Sequence, residues 1–284
     1  MRKHRANITT ILGAGILLLA GCQGIEQIDN NGDSGLPGKL VISLTDDPFP
    51  VDLIENAEVV ITKVEIRQEA DTSDYPFMTL MEDTVSFDLM DLRNGITAEL
   101  LNMEIPAGQY DLIRLYVQEA SLTVKDNGTY HVKVPSGAQT GIKLYLDPAV
   151  RVEGGLTAEI LLDISLENSF VLKGNMHTPA GIKGFNFKPV IRAVNKSTTG
   201  SIEGFVSDTS MTEIAHASVW LEQDSVVASA FSDSAGFYAM IGIPAGIYSV
   251  YAAKENYDTA FFNNVEIVAA NKTIQDITLG PSDD

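Results

Sequence analysis

The chain has 284 residues, a formal net charge of −19, 45% hydrophobic residues and a single cysteine. The acidic balance argues against a basic face for nucleic acid, so no nucleic-acid partner is expected. One cysteine excludes an intrachain disulfide, so the fold must rest on its hydrophobic cores. The length is sufficient for two domains of ordinary size.

The first 21 residues have the pattern of an export signal. Three Lys or Arg residues lie within residues 2–5, and residues 8–20 form an apolar run that small and polar side chains interrupt. A membrane-spanning helix needs about 20 apolar residues, so this run is too short to span a bilayer. The small residues Ala20 and Gly21 suit a cleavage site. We therefore predict a signal peptide over residues 1–21.

The cysteine, Cys22, ends the sequence Leu19-Ala20-Gly21-Cys22, which resembles the lipobox of bacterial lipoproteins. The resemblance implies that the Cys22 thiol carries a diacylglycerol and that the new terminal amine is acylated, for example with palmitate. Each buried CH₂ contributes about 0.8 kcal/mol, so two or three chains attach a protein durably where one chain binds only marginally. The alternative is an ordinary secretory signal that contains a cysteine.

The residues that follow Cys22 bear on location. In lipoproteins of enteric bacteria an aspartate after the cysteine signals inner-membrane retention, and here Gln23 stands at that position. We therefore expect the protein at the outer membrane of a Gram-negative bacterium, on either its periplasmic or its surface face. The membrane is the predicted partner, through the lipid on Cys22. Residues 22–36 are polar, acidic and glycine-bearing, which predicts a flexible tether that spans roughly 20 Å on average.

From residue 37 onward, short apolar runs with alternating polarity are typical of β-strands. The clearest runs are residues 39–45 and 110–124, and Gly, Pro and Asn residues separate the runs. Residues 96–103 fit a short helix as well as a strand. The pattern predicts an all-β protein with two tandem β-sandwich domains behind the lipoprotein signal and the flexible tether.

A short polar segment at residues 195–200 marks the boundary between the two predicted domains. The first domain is expected over residues 37–195 and the second over residues 199–281. The brevity of the connection predicts that the two domains lie close together.

One hexapeptide occurs in both domains, as IPAGQY at residues 105–110 and as IPAGIY at residues 243–248. In each copy the proline presets φ, the glycine tolerates positive φ and the tyrosine begins the returning strand. Convergent turn chemistry and domain duplication both explain this repeat.

The second domain resembles the carboxypeptidase regulatory-like family. The residues that carry the resemblance are the opening 200–204, the strand at 217–219, the aspartate, glycine and aromatic pattern of 232–238, and the proline–glycine turn at 243–248. The family implies a transthyretin-like sandwich that is grouped with carbohydrate-binding-like folds. It implies no peptidase activity.

The first domain resembles the uncharacterised family DUF4382, which is common in bacterial lipoproteins. Five segments carry the resemblance: residues 38–48, 88–95, 105–115, 135–144 and 187–192. The segment at 135–144, PSGAQTGIKL, is the most distinctive. The resemblance implies a β-rich, export-associated domain without a known activity.

The chain lacks a recognisable catalytic constellation. Beyond the signal it has the histidines His131, His177 and His216, none with HExxH spacing, and it has no GxSxG sequence. We therefore predict a protein that is not an enzyme and has no cofactor or metal. A hydrolase that uses two carboxylates is the less favoured alternative.

Calcium prefers oxygen ligands, and Asp46-Asp47 and the acidic run at residues 29–33 supply them. Neither segment has the spacing of a complete calcium loop. A β-turn and a solvated tether are the favoured interpretations.

Two features suggest a ligand surface. The second domain is rich in aromatic residues, which either pack in the core or stack on sugar rings, and residues 256–264 are the best place for an exposed platform. The other feature is the loop at residues 135–141. The aromatic candidates are Trp220, Tyr248, Tyr251, Tyr257, Phe261 and Phe262.

The sequence therefore predicts a non-catalytic envelope lipoprotein whose β-sandwich domains bind carbohydrate or another envelope ligand. The alternative is a structural or adhesive protein that binds a protein partner. Apart from Cys22, no site residue is assigned.

Overall fold

Almost every element of the described chain is a β-strand, which confirms the predicted all-β class. The structure, a computed structural model, describes residues 36–47, 54–69, 73, 76–134, 137–175 and 181–282, all within one compact unit. Cys22, the predicted signal and residues 22–35 of the predicted tether lie outside the described residues. Among the residues described, no helix is both long and apolar enough to cross a membrane.

The first half of the chain contains twelve of the described strands. They are β1 (Gly38–Asp47), β2 (Ile54–Gln68), β3 (Phe77–Met81), β4 (Val85–Asp88), β5 (Ala98–Ile105), β6 (Gly108–Val124), β7 (Gly128–Lys133), β8 (Ile142–Val152), β9 (Thr157–Ser165), β10 (Phe170–Gly174), β11 (Ile182–Phe187) and β12 (Ile191–Asn195). Short helical turns interrupt them at Leu89–Leu92, Gly137–Thr140 (α1), Leu166–Ser169 (α2) and Lys196–Thr198.

Two sheets face each other in this half. One has the order β12-β9-β1-β5, with β1 and β9 parallel, and the other has the order β3-β2-β6-β7, with β4 beside β2 and β8 beside β6. The strands β10 and β11 form a separate hairpin. Alternation along β6 buries Ile113, Leu115 and Val117 in the common core and leaves Arg114 and Tyr116 on the opposite face.

The second half is a smaller sandwich with its own core. Its strands are β13 (Thr199–Asp208), β14 (Ser218–Gln223), β15 (Ser225–Phe231), β16 (Phe237–Pro244), β17 (Gly246–Ala253), β18 (Ala260–Ile267), β19 (Lys272–Ile274) and β20 (Ile277–Leu279). One sheet has the order β16-β13-β19, with β20 also beside β13, and the other has the order β15-β14-β17-β18. Side chains of both sheets, such as Ile202 and Val219, meet in one buried cluster.

The ambiguous segment at residues 96–103 is a strand over most of its length. Its residues from Ala98 onward belong to β5, which pairs antiparallel with β1 from Gly38↔Ile105 to Leu44↔Ala98. The neighbouring strand therefore decides the conformation that periodicity left open.

The repeated hexapeptide forms the same corner in both halves. The Tyr110 hydroxyl donates to the carbonyl of Pro106 at 2.8 Å, and the Tyr248 hydroxyl donates to the carbonyl of Pro244 at 2.8 Å. Burial raises the pKa of both phenols, so they stay protonated as donors. The positive φ that we expected for the glycine of this corner is absent at Gly246. The tyrosine ring explains the glycine instead, because a Cβ at position 246 would lie only 3.3 Å from Tyr248 Cε2.

The two sandwiches pack directly on each other. A Cβ built on Gly242 of the second half would lie 2.9 Å from Leu161 Cδ2 and 3.2 Å from Val194 Cγ2 of the first half. Nearby, a small cavity of about 20 Å³ is lined from both halves, by Asp163 and Arg192 on one side and by β15 and β16 on the other. The predicted domain bounds themselves stay a prediction.

Candidate functional site

Three aromatic side chains form a row across the outer face of the second sandwich. Register pairs Trp220 of β14 with Tyr251 of β17, and Tyr251 with Phe261 of β18. The Trp220 and Tyr251 rings stack with centroids 5.3 Å apart at an interplanar angle of 9°, and the Tyr251 and Phe261 rings follow at 6.2 Å and 28°. We call these three residues the aromatic row.

The aromatic row faces away from the core because strand alternation separates it from the buried positions. On β14, Val219 and Leu221 are fully buried on either side of Trp220. Trp220 and Tyr251 are partly buried, whereas Phe261 on the edge strand β18 is 60% exposed. The Phe261 ring on the edge strand is thus the part of the aromatic row most open to a ligand.

A polar row runs beside the aromatic row on the same face. Register pairs Glu222 of β14 with Ser249 of β17. The Ser249 hydroxyl donates to the side-chain carbonyl of Asn263 on β18 at 3.0 Å. Carboxylate, hydroxyl and amide groups therefore lie next to the stacked rings, and these group types hydrogen-bond hydroxyl-rich ligands.

The other aromatic candidates belong to the core. Tyr248 is 3% exposed and holds the corner described above, while Tyr257 and Phe262 pack partly buried against the same core. Within residues 256–264, the predicted platform, only Phe261 of these aromatic candidates faces outward. Sequence reasoning named every member of the aromatic row, but it could not group them.

The second candidate feature is a groove between the two sandwiches, with a volume of about 420 Å³. The 88–95 segment of the first half lines one wall through Asp91, Arg93 and Asn94, and the 232–238 segment of the second half lines the other through Asp233. Both segments carried a family resemblance in the sequence. Clefts between domains are frequent ligand sites.

Several polar groups in the groove are held in place by backbone contacts. The Asp233 Oδ1 accepts the amides of Ala235 at 2.8 Å and Phe237 at 3.0 Å. The Arg93 Nε donates to the carbonyl of Met90 at 2.6 Å. His216 has φ +56° and its carbonyl accepts from Lys254 Nζ at 3.2 Å. The groove is therefore a preorganised, mixed-charge surface above an apolar floor that includes Phe231 and Phe237.

Gly141, which ends the distinctive 135–141 segment, adjoins a buried charge cluster on the first half. Glu65 of β2 is fully buried and contacts Lys63 Nζ at 2.7 Å, the Tyr116 hydroxyl at 2.9 Å and Arg114 Nη1 at 3.6 Å. A Cβ built on Gly141 would lie 2.4 Å from Arg114 Cγ. A side chain at position 141 would therefore collide with Arg114 of this cluster, which gives this glycine a structural reason.

The remaining sequence candidates are scattered. The Asp46 Oδ1 accepts the Leu166 amide at 3.2 Å inside the fold, and His131 pairs with Glu119 at 2.7 Å on the surface. In the described part of the chain, no group of three His, Cys, Asp or Glu residues suits a metal ion. His177, residues 29–33 and the Asp47 side chain lie outside the described residues.

The sheets define a tandem β-sandwich protein, and comparison with known families shows which family each sandwich matches. Residues 37–189 match the family described as domain of unknown function (DUF4382), and residues 201–280 match the carboxypeptidase regulatory-like domain. The chain belongs to the DUF4382 family, with a carboxypeptidase regulatory-like domain in tandem. Both resemblances inferred from the sequence are confirmed, and no curated protein matches the chain.

Several solved structures are similar to this chain at low scores. The Bacillus anthracis TIE protein matches 87% of this chain at 13% identity and a TM-score of 0.25, and the match spans only about a third (34%) of that protein. The shaft pilin SpaA from Lactobacillus rhamnosus GG matches 87% of this chain and 99% of its own, at 10% identity and a TM-score of 0.23. GBS52, the minor pilin of Streptococcus agalactiae, matches 87% of this chain and 97% of its own, at 12% identity and a TM-score of 0.24. Likeness at this level supports no conclusion about function.

Proposed function

We propose that this protein is a non-catalytic, lipid-anchored envelope protein that binds carbohydrate on the aromatic row. The observation that carries the proposal is the outward-facing stack of Trp220, Tyr251 and Phe261. Sugar rings present apolar C–H faces that pack on aromatic rings, while their hydroxyls need hydrogen-bonding groups. The polar row supplies such groups beside the aromatic row.

Phe261 is the sharpest test of the carbohydrate proposal. Trp220 and Tyr251 shield each other's stacked faces, whereas the Phe261 ring on the edge strand is the most open of the three. We expect Phe261→Ala to weaken binding of linear cello- or chito-oligosaccharides about tenfold, a loss of about 1.4 kcal/mol. Calorimetry on the purified protein measures this change after an array has identified the glycans that bind.

The matched control is Tyr145→Ala, which removes an aromatic ring that is 66% exposed on the first sandwich, close to the 60% of Phe261. This variant is expected to bind like the unsubstituted protein. The proposal is wrong if no glycan binds above background, or if Phe261→Ala and Tyr145→Ala bind equally well.

The membrane attachment is proposed at Cys22. Its support is the Leu19–Cys22 sequence after a short apolar run, together with the polar segment that follows. We expect Cys22→Ser to abolish palmitate labelling and to release the protein from the membrane fraction. A Cys22→Ser protein that still takes up labelled palmitate and stays with the membranes would contradict the assignment.

A structural or adhesive role with a protein partner is the second candidate. The aromatic row also favours this role, because Trp and Tyr side chains are enriched in protein interfaces. Crosslinking in whole cells would recover a specific partner that Phe261→Ala loses. The hydrolase alternative has less support, since Asp233 in the groove already binds two backbone amides through one oxygen.

A further inference from the structure

Phe231 connects the groove with the aromatic row. It lines the groove, and it also lies on the outer face of the same sheet as Trp220. Register pairs Phe231 with Ser218 and Trp220 with Ser229, so Phe231 and Trp220 are diagonal neighbours on adjacent strands. Diagonal positions of this kind lie about 7–8 Å apart, within reach of aromatic side chains.

The four aromatic residues therefore lie in order on one face of four adjacent strands, and we call this arrangement the track. The strand order β15-β14-β17-β18 arranges Phe231, Trp220, Tyr251 and Phe261 in sequence. With strands about 4.8 Å apart, the track is roughly 15 Å long. That length exceeds one sugar ring and suits a short linear chain that lies across the strands.

The two ends of this track differ. At β18 the track ends on the exposed Phe261 ring at a free sheet edge. At β15 it runs into the groove, where Asp91 and Asn94 of the first sandwich lie across from Phe231. At the first end β18 is the outermost described strand of its sheet, whereas the second end meets a wall with carboxylate and amide groups.

We propose that the groove is an end-binding subsite, so that the ligand is a linear oligosaccharide whose chain terminus enters the groove while its following units lie along the aromatic row. This inference rests on the proposed carbohydrate function. A chain terminus carries one more free hydroxyl than an internal unit, and the polar groove wall is where such a group finds hydrogen-bond partners. Recognition then requires both sandwiches, although the aromatic row belongs to the second alone.

The test is a chain-length series on the full protein. Cello- and chito-oligosaccharides of two to six units are titrated by calorimetry against the unsubstituted protein and against Ser234→Trp. Ser234 is exposed and lines the groove, so an indole there fills it from the solvent side. We expect the six-unit oligosaccharide to bind the unsubstituted protein about tenfold more tightly than the two-unit oligosaccharide. In Ser234→Trp we expect the affinity for six units to fall to the affinity for two units.

Asp91→Asn is the second variant, because it alters one exposed groove side chain and leaves the volume unchanged. We expect Asp91→Asn to reduce severalfold the ratio of the affinities for six and two sugar units. The control is Asp83→Asn, which alters an exposed aspartate outside the groove and is expected to leave that ratio unchanged. The end-binding subsite is overturned if the unsubstituted protein binds two-unit and six-unit oligosaccharides equally well. It is also overturned if Ser234→Trp and Asp91→Asn both keep the full affinity for six units. Either result leaves carbohydrate binding itself intact. Absence of binding to every oligomer overturns both proposals.

Discussion

Asp163 is a largely buried carboxylate at the junction of the two sandwiches. Its ion pair with Arg192 stabilises the charged form less than burial destabilises that form. Its Oδ2 accepts from Arg192 Nη2 at 2.8 Å, while its Oδ1 is buried without a hydrogen-bond partner among the described residues. Burial raises the pKa of Asp163 above its ordinary 3.8, and the nearby Arg192 only partly opposes that shift. The native protein therefore binds this proton more tightly than the unfolded chain does.

This raised pKa predicts a pH dependence with a defined sign. The stabilisation from protonated Asp163 is fully present below its ordinary pKa and is lost as pH rises through the raised native pKa. We expect Asp163→Asn to lose less stability than the unsubstituted protein between about pH 4 and about pH 7. Urea unfolding at a series of pH values gives the slope of the free energy of unfolding against pH for each protein. Parallel stability profiles for the two proteins would refute the assignment.

At the scale of elements, the repeated hexapeptide fixes one corner in each sandwich. Removal of the hydroxyl in Tyr110→Phe or Tyr248→Phe leaves a proline carbonyl without its donor, and a hydrogen bond of this kind contributes about 1 kcal/mol. We expect each variant to be destabilised by about that amount in urea unfolding. The control is Tyr145→Phe on an exposed ring, and a corner variant as stable as this control would contradict the role.

The strands were largely predictable, because alternation in β1, β6 and β14 is visible in single runs of sequence. Residues 96–103 were not, since a short apolar run fits both periods until β1 supplies a pairing partner. The aromatic row was also out of reach. Trp220, Tyr251 and Phe261 become neighbours only through the strand order β14-β17-β18, which local periodicity does not encode.

The groove was unpredictable for a related reason. Its two walls come from segments near residues 91 and 233, which were recognisable separately as family motifs. Nothing in either segment indicates that the other faces it, because that contact depends on how the two sandwiches pack. The buried Glu65 cluster was equally hidden, since an acidic residue in a strand pattern is expected to face solvent.

At the scale of the whole molecule, a ligand site that both sandwiches share requires a fixed orientation of one sandwich against the other. Gly242 has φ +68°, and its missing side chain leaves room for Leu161 and Val194 of the first half. We expect Gly242→Val to loosen the junction, so that the two halves unfold at different urea concentrations. Fluorescence of Trp220, the single tryptophan, follows the second half, and far-UV circular dichroism follows all strands.

Gly155→Val provides the control for this junction. Gly155 has a similar φ of +74°, but nothing lies within 4 Å of a Cβ built there. It imposes comparable backbone strain, about 1–2 kcal/mol, without touching the other half. Coincident fluorescence and dichroism transitions are expected for the unsubstituted protein and for Gly155→Val. Coincident transitions in Gly242→Val would contradict a role for the junction.

The most direct measurement is a crystal structure of the protein soaked with chitohexaose or cellohexaose. We expect sugar rings against Phe261, Tyr251 and Trp220, with hydroxyls within hydrogen-bond distance of the polar row and one chain end in the groove. Sugar bound only elsewhere on the molecule, or an aromatic row that stays free of sugar at saturating ligand, would contradict carbohydrate binding on the aromatic row.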